Sequence, residues 1–310
     1  MKKIISVFLN PAIDLTLWVK GEIKGEPYTV ENKESYAAGK GVNVSKNLSA
    51  VGCDNLALGM VGKKNKEEFL SLLEKEEIDF DITEFEGETR ENITVCFQDG
   101  EILKINHSGS VEDKAAIEEF KDKLKRYSEE AEFVVFGGKI PNGISNEEYI
   151  DIIKLSGKAK VVVDTSSFKL EDYKKLSLFA IKPNHNELSE ITGLSTDTEE
   201  EVVSAAKKLL PYVENVIVSR GEKGIILVKK DIAVKAVLPE VKVLSDIGAG
   251  DSALAGFIYA NKKGLSPKEQ AAYAAAFGTA KTLVKGTGAV DKETVDELYK
   301  KAIIIPLEMR

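Results

Sequence analysis

Phe133-Val134-Val135-Phe136, a helix-period stretch over residues 146–155, and Lys160-Val161-Val162-Val163-Asp164 follow one another in the middle of the chain. The two apolar runs are short, rich in β-branched and aromatic residues, and bounded by Gly137-Gly138 and by Asp164, which is how buried strands read. A strand that returns to a strand through a helix makes a right-handed βαβ crossover and sets the two strands parallel. The same rhythm extends outward, with strand-like runs at 4–9 and 56–61 before it and at 178–182, 216–219 and 224–228 after it. Helix-period stretches at 42–51, 66–76, 115–128, 186–192 and 199–209 lie between them. The pattern predicts an α/β fold, a mostly parallel sheet flanked by helices.

Residues 14–35 and 89–106 break the rhythm, because both alternate like strands with no helix between their runs. They predict a small antiparallel β lid on a single α/β domain spanning 1–310. Trp18, Val19, Tyr28, Val30, Ile93, Val95 and Phe97 are the apolar residues this lid has to cover, against its own core or against a second subunit.

The chain has 310 residues, of which 43% are hydrophobic, enough for a large core. With 51 acidic against 43 basic residues the net charge is −8, which disfavours a general nucleic-acid or anionic-membrane binder. A bound phosphate must be held by local groups. Cys53 and Cys96 are the two cysteines and His107 and His185 the two histidines, so neither a disulfide framework nor a zinc set is present. The start resembles a signal peptide until Asn10-Pro11 and Asp14 interrupt it, and no apolar run approaches the roughly 20 residues of a membrane helix. A cytoplasmic protein is expected.

Four stretches carry chemistry. Ala37-Ala38-Gly39-Lys40-Gly41-Val42-Asn43-Val44-Ser45 precedes an amphipathic helix, so its glycines let backbone N–H groups approach an anion or hydroxyl while Lys40 adds charge. An ordinary Gly-rich helix start with a surface lysine is the alternative, and the functional reading leads it. It is neither a P-loop nor a dinucleotide fingerprint, whose glycine spacings are absent. Ser245-Asp246-Ile247-Gly248-Ala249-Gly250-Asp251 runs into an Ala-rich helix. Small residues at a helix start expose N–H groups to a developing phosphate charge, and a carboxylate on the first turn can take a hydroxyl proton. Asp251 as a mere helix-start carboxylate favoured by the dipole is the alternative, but four residues of backbone freedom followed by an acid exceed what capping needs, so the functional reading leads. Lys182-Pro183-Asn184-His185-Asn186-Glu187 and Ser219-Arg220-Gly221-Glu222-Lys223-Gly224 each follow a strand, at the carboxyl edge where open α/β sheets bind ligands. Asn184 and Glu187 offer oxygen donors suited to Mg²⁺ and its waters, and Gly221 and Gly224 permit a tight turn under a nucleotide.

Together these stretches resemble the ribokinase-like (PfkB) family of carbohydrate kinases over nearly the whole chain. Within it the chain is most similar to the branch of 1-phosphofructokinases and tagatose-6-phosphate kinases, through Asn10-Pro11-Ala12-Ile13-Asp14, Gly39-Lys40-Gly41-Val42-Asn43 and Thr89-Arg90-Glu91-Asn92. The resemblance implies that ATP, with Mg²⁺, phosphorylates a ketohexose monophosphate. Fructose 1-phosphate is the first choice of acceptor, with tagatose 6-phosphate and then fructose 6-phosphate behind it. It further implies that Asp14, Gly39 and Asn43 hold sugar hydroxyls, that Asn92 belongs to the same substrate motif, and that Lys40 and Arg90 face the substrate phosphate. Gly248, Ala249 and Gly250 become the anion hole and Asp251 the base. Lys182, Ser219, Gly221 and Gly224 line the ATP site, and Asn184 and Glu187 organise Mg²⁺ through water. Two departures stand out: Asp246 replaces a usual Thr, Ser or Pro, and Gly137-Gly138-Lys139-Ile140-Pro141 replaces Ser-Gly-Ser-Leu-Pro, which makes Lys139 a candidate third cation for the sugar phosphate. A homodimer closed through the lid is expected. A nicotinamide-dependent dehydrogenase would need the missing dinucleotide fingerprint, and a non-catalytic sugar sensor would show decay around Asp251, which is intact.

Overall fold

The structure is a computed structural model that describes residues 3–21, 27–284, 286 and 288–309. Its strands are β1 (Lys3–Phe8), β2 (Ala12–Val19), β3 (Val30–Ala38), β4 (Asn55–Gly62), β5 (Phe80–Phe85), β6 (Arg90–Phe97) and β7 (Ile102–Asn106) in the first part of the chain. Then come β8 (Ala131–Gly137), β9 (Lys160–Asp164), β10 (Leu178–Ile181), β11 (Val213–Ser219), β12 (Ile225–Lys229), β13 (Ile232–Val237) and β14 (Ile303–Leu307). The helices are α1 (Lys40–Ala50), α2 (Lys66–Glu74), α3 (Lys114–Ser128), α4 (Asn146–Lys154), α5 (Leu170–Tyr173), α6 (His185–Thr192), α7 (Glu199–Lys207), α8 (Ala249–Lys262), α9 (Pro267–Thr282) and α10 (Lys292–Lys300).

The ten-stranded main sheet has the order β14-β13-β12-β11-β10-β9-β8-β1-β4-β5. From β5 to β11 every neighbouring pair is parallel, and β12, β13 and β14 are added antiparallel at one edge. Its central strands are covered on both faces. Ile5, Val7, Val134, Phe136, Val161 and Val163 enter one core cluster, while the alternating Ile4, Phe133, Val135 and Val162 enter a second beneath α8 and α9. A strand buried on both sides has no polar face to show, which is why these strands read as unbroken apolar runs.

The second sheet is four-stranded, in the order β3-β2-β6-β7. Both of its outer pairings, β2 with β3 and β6 with β7, are antiparallel, whereas the seam between β2 and β6 is parallel. The chain enters β2 from β1 and β6 from β5, two strands of like direction in the main sheet, so β2 and β6 emerge side by side and run the same way. Residues 22–26 of the predicted lid segment lie outside the described residues. The register gives this sheet two unlike faces: Ala12, Asp14, Arg90 and Asn92 share one, and Leu15, Leu17, Ile93 and Val95 share the other. Leu15 and Ile93 on the apolar face pack into a third core cluster with Val42 and Phe69.

Elements the periodicity did not mark are β5, β13, β14, α5, α9 and α10. Helix α9 escaped because its alanines are buried on several sides, leaving no polar stripe to give it a period. No helix among the described residues is long and apolar enough to cross a membrane.

Candidate active site

The carboxyl ends of the parallel strands meet the amino ends of α1, α6 and α8, and the chemistry-bearing side chains gather there. Gly39 precedes α1 with φ 124°, a conformation that favours glycine. Gly41 has a different reason for being glycine: a methyl group there would lie 2.3 Å from Val7 O, so its absence lets α1 close onto β1. A methyl on Gly137 would likewise lie 2.9 Å from Lys40 Cβ. These close approaches put Lys40 and Asn43 directly over the ends of β1 and β8.

Asp251 lies on the first turn of α8, and its Oδ2 accepts a hydrogen bond from Asn43 Nδ2 at 2.8 Å. Burial pushes its carboxyl up to about 6, against the pull of Lys40 and with a further push from Asp164. Gly248 ahead of it has φ 76°, so the turn into the helix needs no side chain and admits none easily. Among the described residues the amide N–H groups of Gly250 and Asp251 donate to no acceptor, while Ala249 N reaches Asp246 O at 3.3 Å. A methyl on Gly250 would meet Lys182 Nζ at 3.1 Å, so this ammonium stands beside the same amides. Free amides, a helix amino end and a buried lysine make a place for an anion next to a carboxylate that can ionise.

Lys182 is 4% exposed and pairs with Asp164 Oδ2 at 3.4 Å, and Lys40 pairs with Asp164 Oδ1 at 2.8 Å. Burial acts to raise Asp164, but Lys182 and Lys40 outweigh it and hold the carboxyl below its ordinary value. Burial acts to lower Lys40, and the carboxylates of Asp164 and Asp251 overcome it and raise the ammonium. Asp164 was not singled out from the sequence. Its position as the last residue of β9, at the same carboxyl edge as Lys182 and Ser219, was the available signal.

A second polar group sits on the smaller sheet. Asn92 Nδ2 donates to Asp14 Oδ1 at 2.8 Å, and Arg90 Nη1 donates to Asn92 Oδ1 at 2.7 Å and to His107 O at 3.0 Å. Arg90 also reaches Asn10 O through Nε at 3.4 Å. Burial raises Asp14 despite Asn92 and Arg90. Lys40 and Arg90 are therefore held by different partners, Lys40 among Asp164 and Asp251, and Arg90 beside Asp14. Lys139 is exposed on the loop after β8, where its carbonyl accepts from Asn10 Nδ2 at 3.3 Å.

On the opposite side, Asn184 caps α6. Its Oδ1 accepts from Glu187 N at 2.9 Å, and Glu187 Oε2 accepts from Asn184 N at 2.8 Å, a reciprocal capping box. The other carboxylate oxygen of Glu187 has no hydrogen-bond partner among the described residues. Ser219 ends β11 and bridges to Asn184. Gly221 and Gly224 have φ 59° and 88°, and a methyl on Gly224 would strike Ala236 O at 2.2 Å, so both glycines are required by this turn.

For Mg²⁺ the donor set is thin: no group of three or more His, Cys, Asp or Glu residues gathers among the described residues. That fits an ion held by one or two carboxylates together with water and nucleotide phosphates, the usual mode for Mg²⁺. Glu187, with an oxygen to spare, suits it.

The chain is similar to known proteins. A 1-phosphofructokinase of Haemophilus influenzae is 30% identical over 99% of this chain and 100% of its own length. A tagatose-6-phosphate kinase of Staphylococcus epidermidis is 27% identical over 97% of this chain and 99% of its own. The crystal structure of phosphofructokinase-2 from Escherichia coli in complex with fructose-6-phosphate superposes with a TM-score of 0.88, at 23% identity and over 97% of this chain and 99% of that one. A tetrameric inhibited form of that Escherichia coli protein is also known. The model of the pfkB family carbohydrate kinases matches residues 4–294, which runs from β1 through the Gly248 turn into α10, and the chain belongs to that family.

Proposed function

We propose that this kinase transfers the γ-phosphoryl group of ATP to a hydroxyl of a ketohexose monophosphate, with fructose 1-phosphate as the preferred acceptor and fructose 1,6-bisphosphate as the product. The observation that carries the reading is the buried Asp251, raised to about 6 and held by Asn43 beside two unengaged amides and Lys182. The acceptor oxygen attacks the γ-phosphorus in line, the bond to the β-phosphate oxygen breaks, ADP leaves, and the hydroxyl proton passes to Asp251. Asn43 orients the carboxylate, and the amides of Gly248 and Gly250, joined by that of Ala249 once it releases Asp246 O, meet the charge on the transferred group. Lys182, Ser219, Gly221 and Gly224 line the nucleotide. Asn184 and Glu187 would hold Mg²⁺ through water, where the ion neutralises phosphate charge.

Asp14, Gly39 and Asn43 bind the sugar hydroxyls, with Asn92 bracing Asp14. The two cation groups then divide the labour. Lys40, paired with Asp164 near Asp251, serves the phosphoryl group in transit, while Arg90 and Lys139, both around Asn10, take the phosphate already on the sugar. The smaller sheet closes over the acceptor as a lid, and two chains associate through it.

The test is ADP release with fructose 1-phosphate, tagatose 6-phosphate, fructose 6-phosphate and unphosphorylated fructose. A kcat/KM highest for fructose 1-phosphate supports the assignment. A preference for tagatose 6-phosphate transfers the protein to the second substrate class, which its relative in Staphylococcus epidermidis represents by name.

A further inference from the structure

Helices α8 and α9 run antiparallel. Tyr259 late in α8 packs on Tyr273 early in α9, with ring centroids 5.2 Å apart. At the other end, a methyl on Gly278 would lie 3.3 Å from Ala253 Cβ and 3.4 Å from Ala249 O. The carboxyl end of α9 therefore abuts the amino end of α8. Thr282 O, at the end of α9, accepts from Leu244 N at 2.8 Å and Ser245 N at 3.3 Å, and so suspends the segment that leads into Gly248. A helix carboxyl end carries roughly half a negative charge. Left alone, this packing would lay negative potential against the turn that has to receive a phosphate.

Lys281 occupies that junction. It is 2% exposed, its Nζ donates to Gly286 O at 2.7 Å, and its Cε lies 3.5 Å from where a methyl on Gly248 would be. We propose that Lys281 is a positioning residue of the phosphoryl-transfer site, a buried ammonium that offsets the carboxyl end of α9 and fixes the Gly248 turn against the segment at Gly286. This rests on the kinase reading given above.

The charge is costly, which argues against simple space filling. Burial, reinforced by Lys46, pulls the ammonium down to about 8, while Asp251 and Glu76 favour it. An apolar side chain of the same length would fill the volume without that penalty. A lysine kept there in its charged form is explained by something that needs the charge, and the adjoining anion site is such a thing.

Lys281→Gln and Lys281→Arg separate charge from shape, since glutamine keeps a donor for Gly286 O and arginine keeps the cation. Both are compared with the wild-type enzyme for kcat and KM over pH 5–9, with circular dichroism as a check on folding. A wild type without kinase activity on any phosphosugar would refute the kinase reading itself. With an active wild type, Lys281→Gln is expected to lower kcat at least tenfold with KM for the sugar within threefold, and Lys281→Arg to retain most of kcat. The acidic limb of kcat/KM should also move to higher pH in Lys281→Gln, because a cation favouring ionised Asp251 is gone while Lys46 from α1 and Glu76 after α2 remain. Equal losses in both variants, or kcat within twofold in both, would overturn the proposal. If Lys281→Gln fails to fold, Lys281→Arg decides: a folded variant whose kcat falls at least tenfold overturns the proposal, and retained kcat supports it.

Discussion

Asp251 is an acid whose surroundings oppose one another: the helix amino end and Lys40 favour its charge, and burial wins. Because a base must be ionised to accept the hydroxyl proton, activity should rise with pH through about 6 and level off above it, which initial rates at saturating ATP will show. Asp251→Asn should keep ATP binding and lose roughly 10²–10⁴-fold in turnover, the contribution of a positioned base. Activity within a few-fold of wild type would remove Asp251 from the mechanism. The two cations of the substrate motif should also part company. Arg90→Ala should weaken kcat/KM for the phosphosugar by about ten- to a hundredfold, the worth of a charge-assisted hydrogen bond, and affect unphosphorylated fructose much less. Lys40→Ala should depress both acceptors alike, because its partner Asp164 belongs to the transfer centre. Selectivity lost equally in the two variants would place both cations on one phosphate. The residue types of this site were legible in the sequence. Asp164 and Lys281 were not, since a strand-ending aspartate and a lysine in an Ala-rich helix are ordinary until the fold sets them beside other charges.

At the scale of elements, glycines decide how close the parts come. Gly41 faces the backbone of Val7, which has no rotamer to offer, so Gly41→Ala must push α1 off β1. Overpacking of this kind costs about 1–3 kcal/mol. Urea denaturation should show a loss of that size, and kcat should fall with it because Lys40 and Asn43 ride on the same helix. An unchanged midpoint would mean that the helix shifts freely and that the site tolerates the shift. The smaller sheet teaches the complementary lesson. Its alternation announced strands, and its register then put Asp14, Asn92 and Arg90 on one face and an apolar stripe on the other.

Across the whole molecule that stripe remains partly open. Val19 and Phe97 are buried, with Tyr28 edge-on to Phe97 at 5.3 Å, whereas Val30, Leu103 and Ile105 stay 43–46% exposed. A second copy of the lid would cover them. Sedimentation should show a homodimer, and Leu103→Lys should shift it toward monomer while raising KM for the phosphosugar. A monomer of full activity at high concentration would count against the interface, and a tetramer would match the inhibited form known for the Escherichia coli relative. The amino-acid sequence by itself determined the parallel sheet, the strands of the lid and the four stretches gathered at the sheet's carboxyl edge, because strand burial, helix period and glycine placement are local properties written in neighbouring residues. Only the tertiary structure decided which charges meet. Asn43 and Asp251 are 208 positions apart and Lys40 and Asp164 124, and no local rule connects residues so distant. Their pairing, and the raised carboxyl it surrounds, exist because strands from all parts of the chain end at one edge of one sheet.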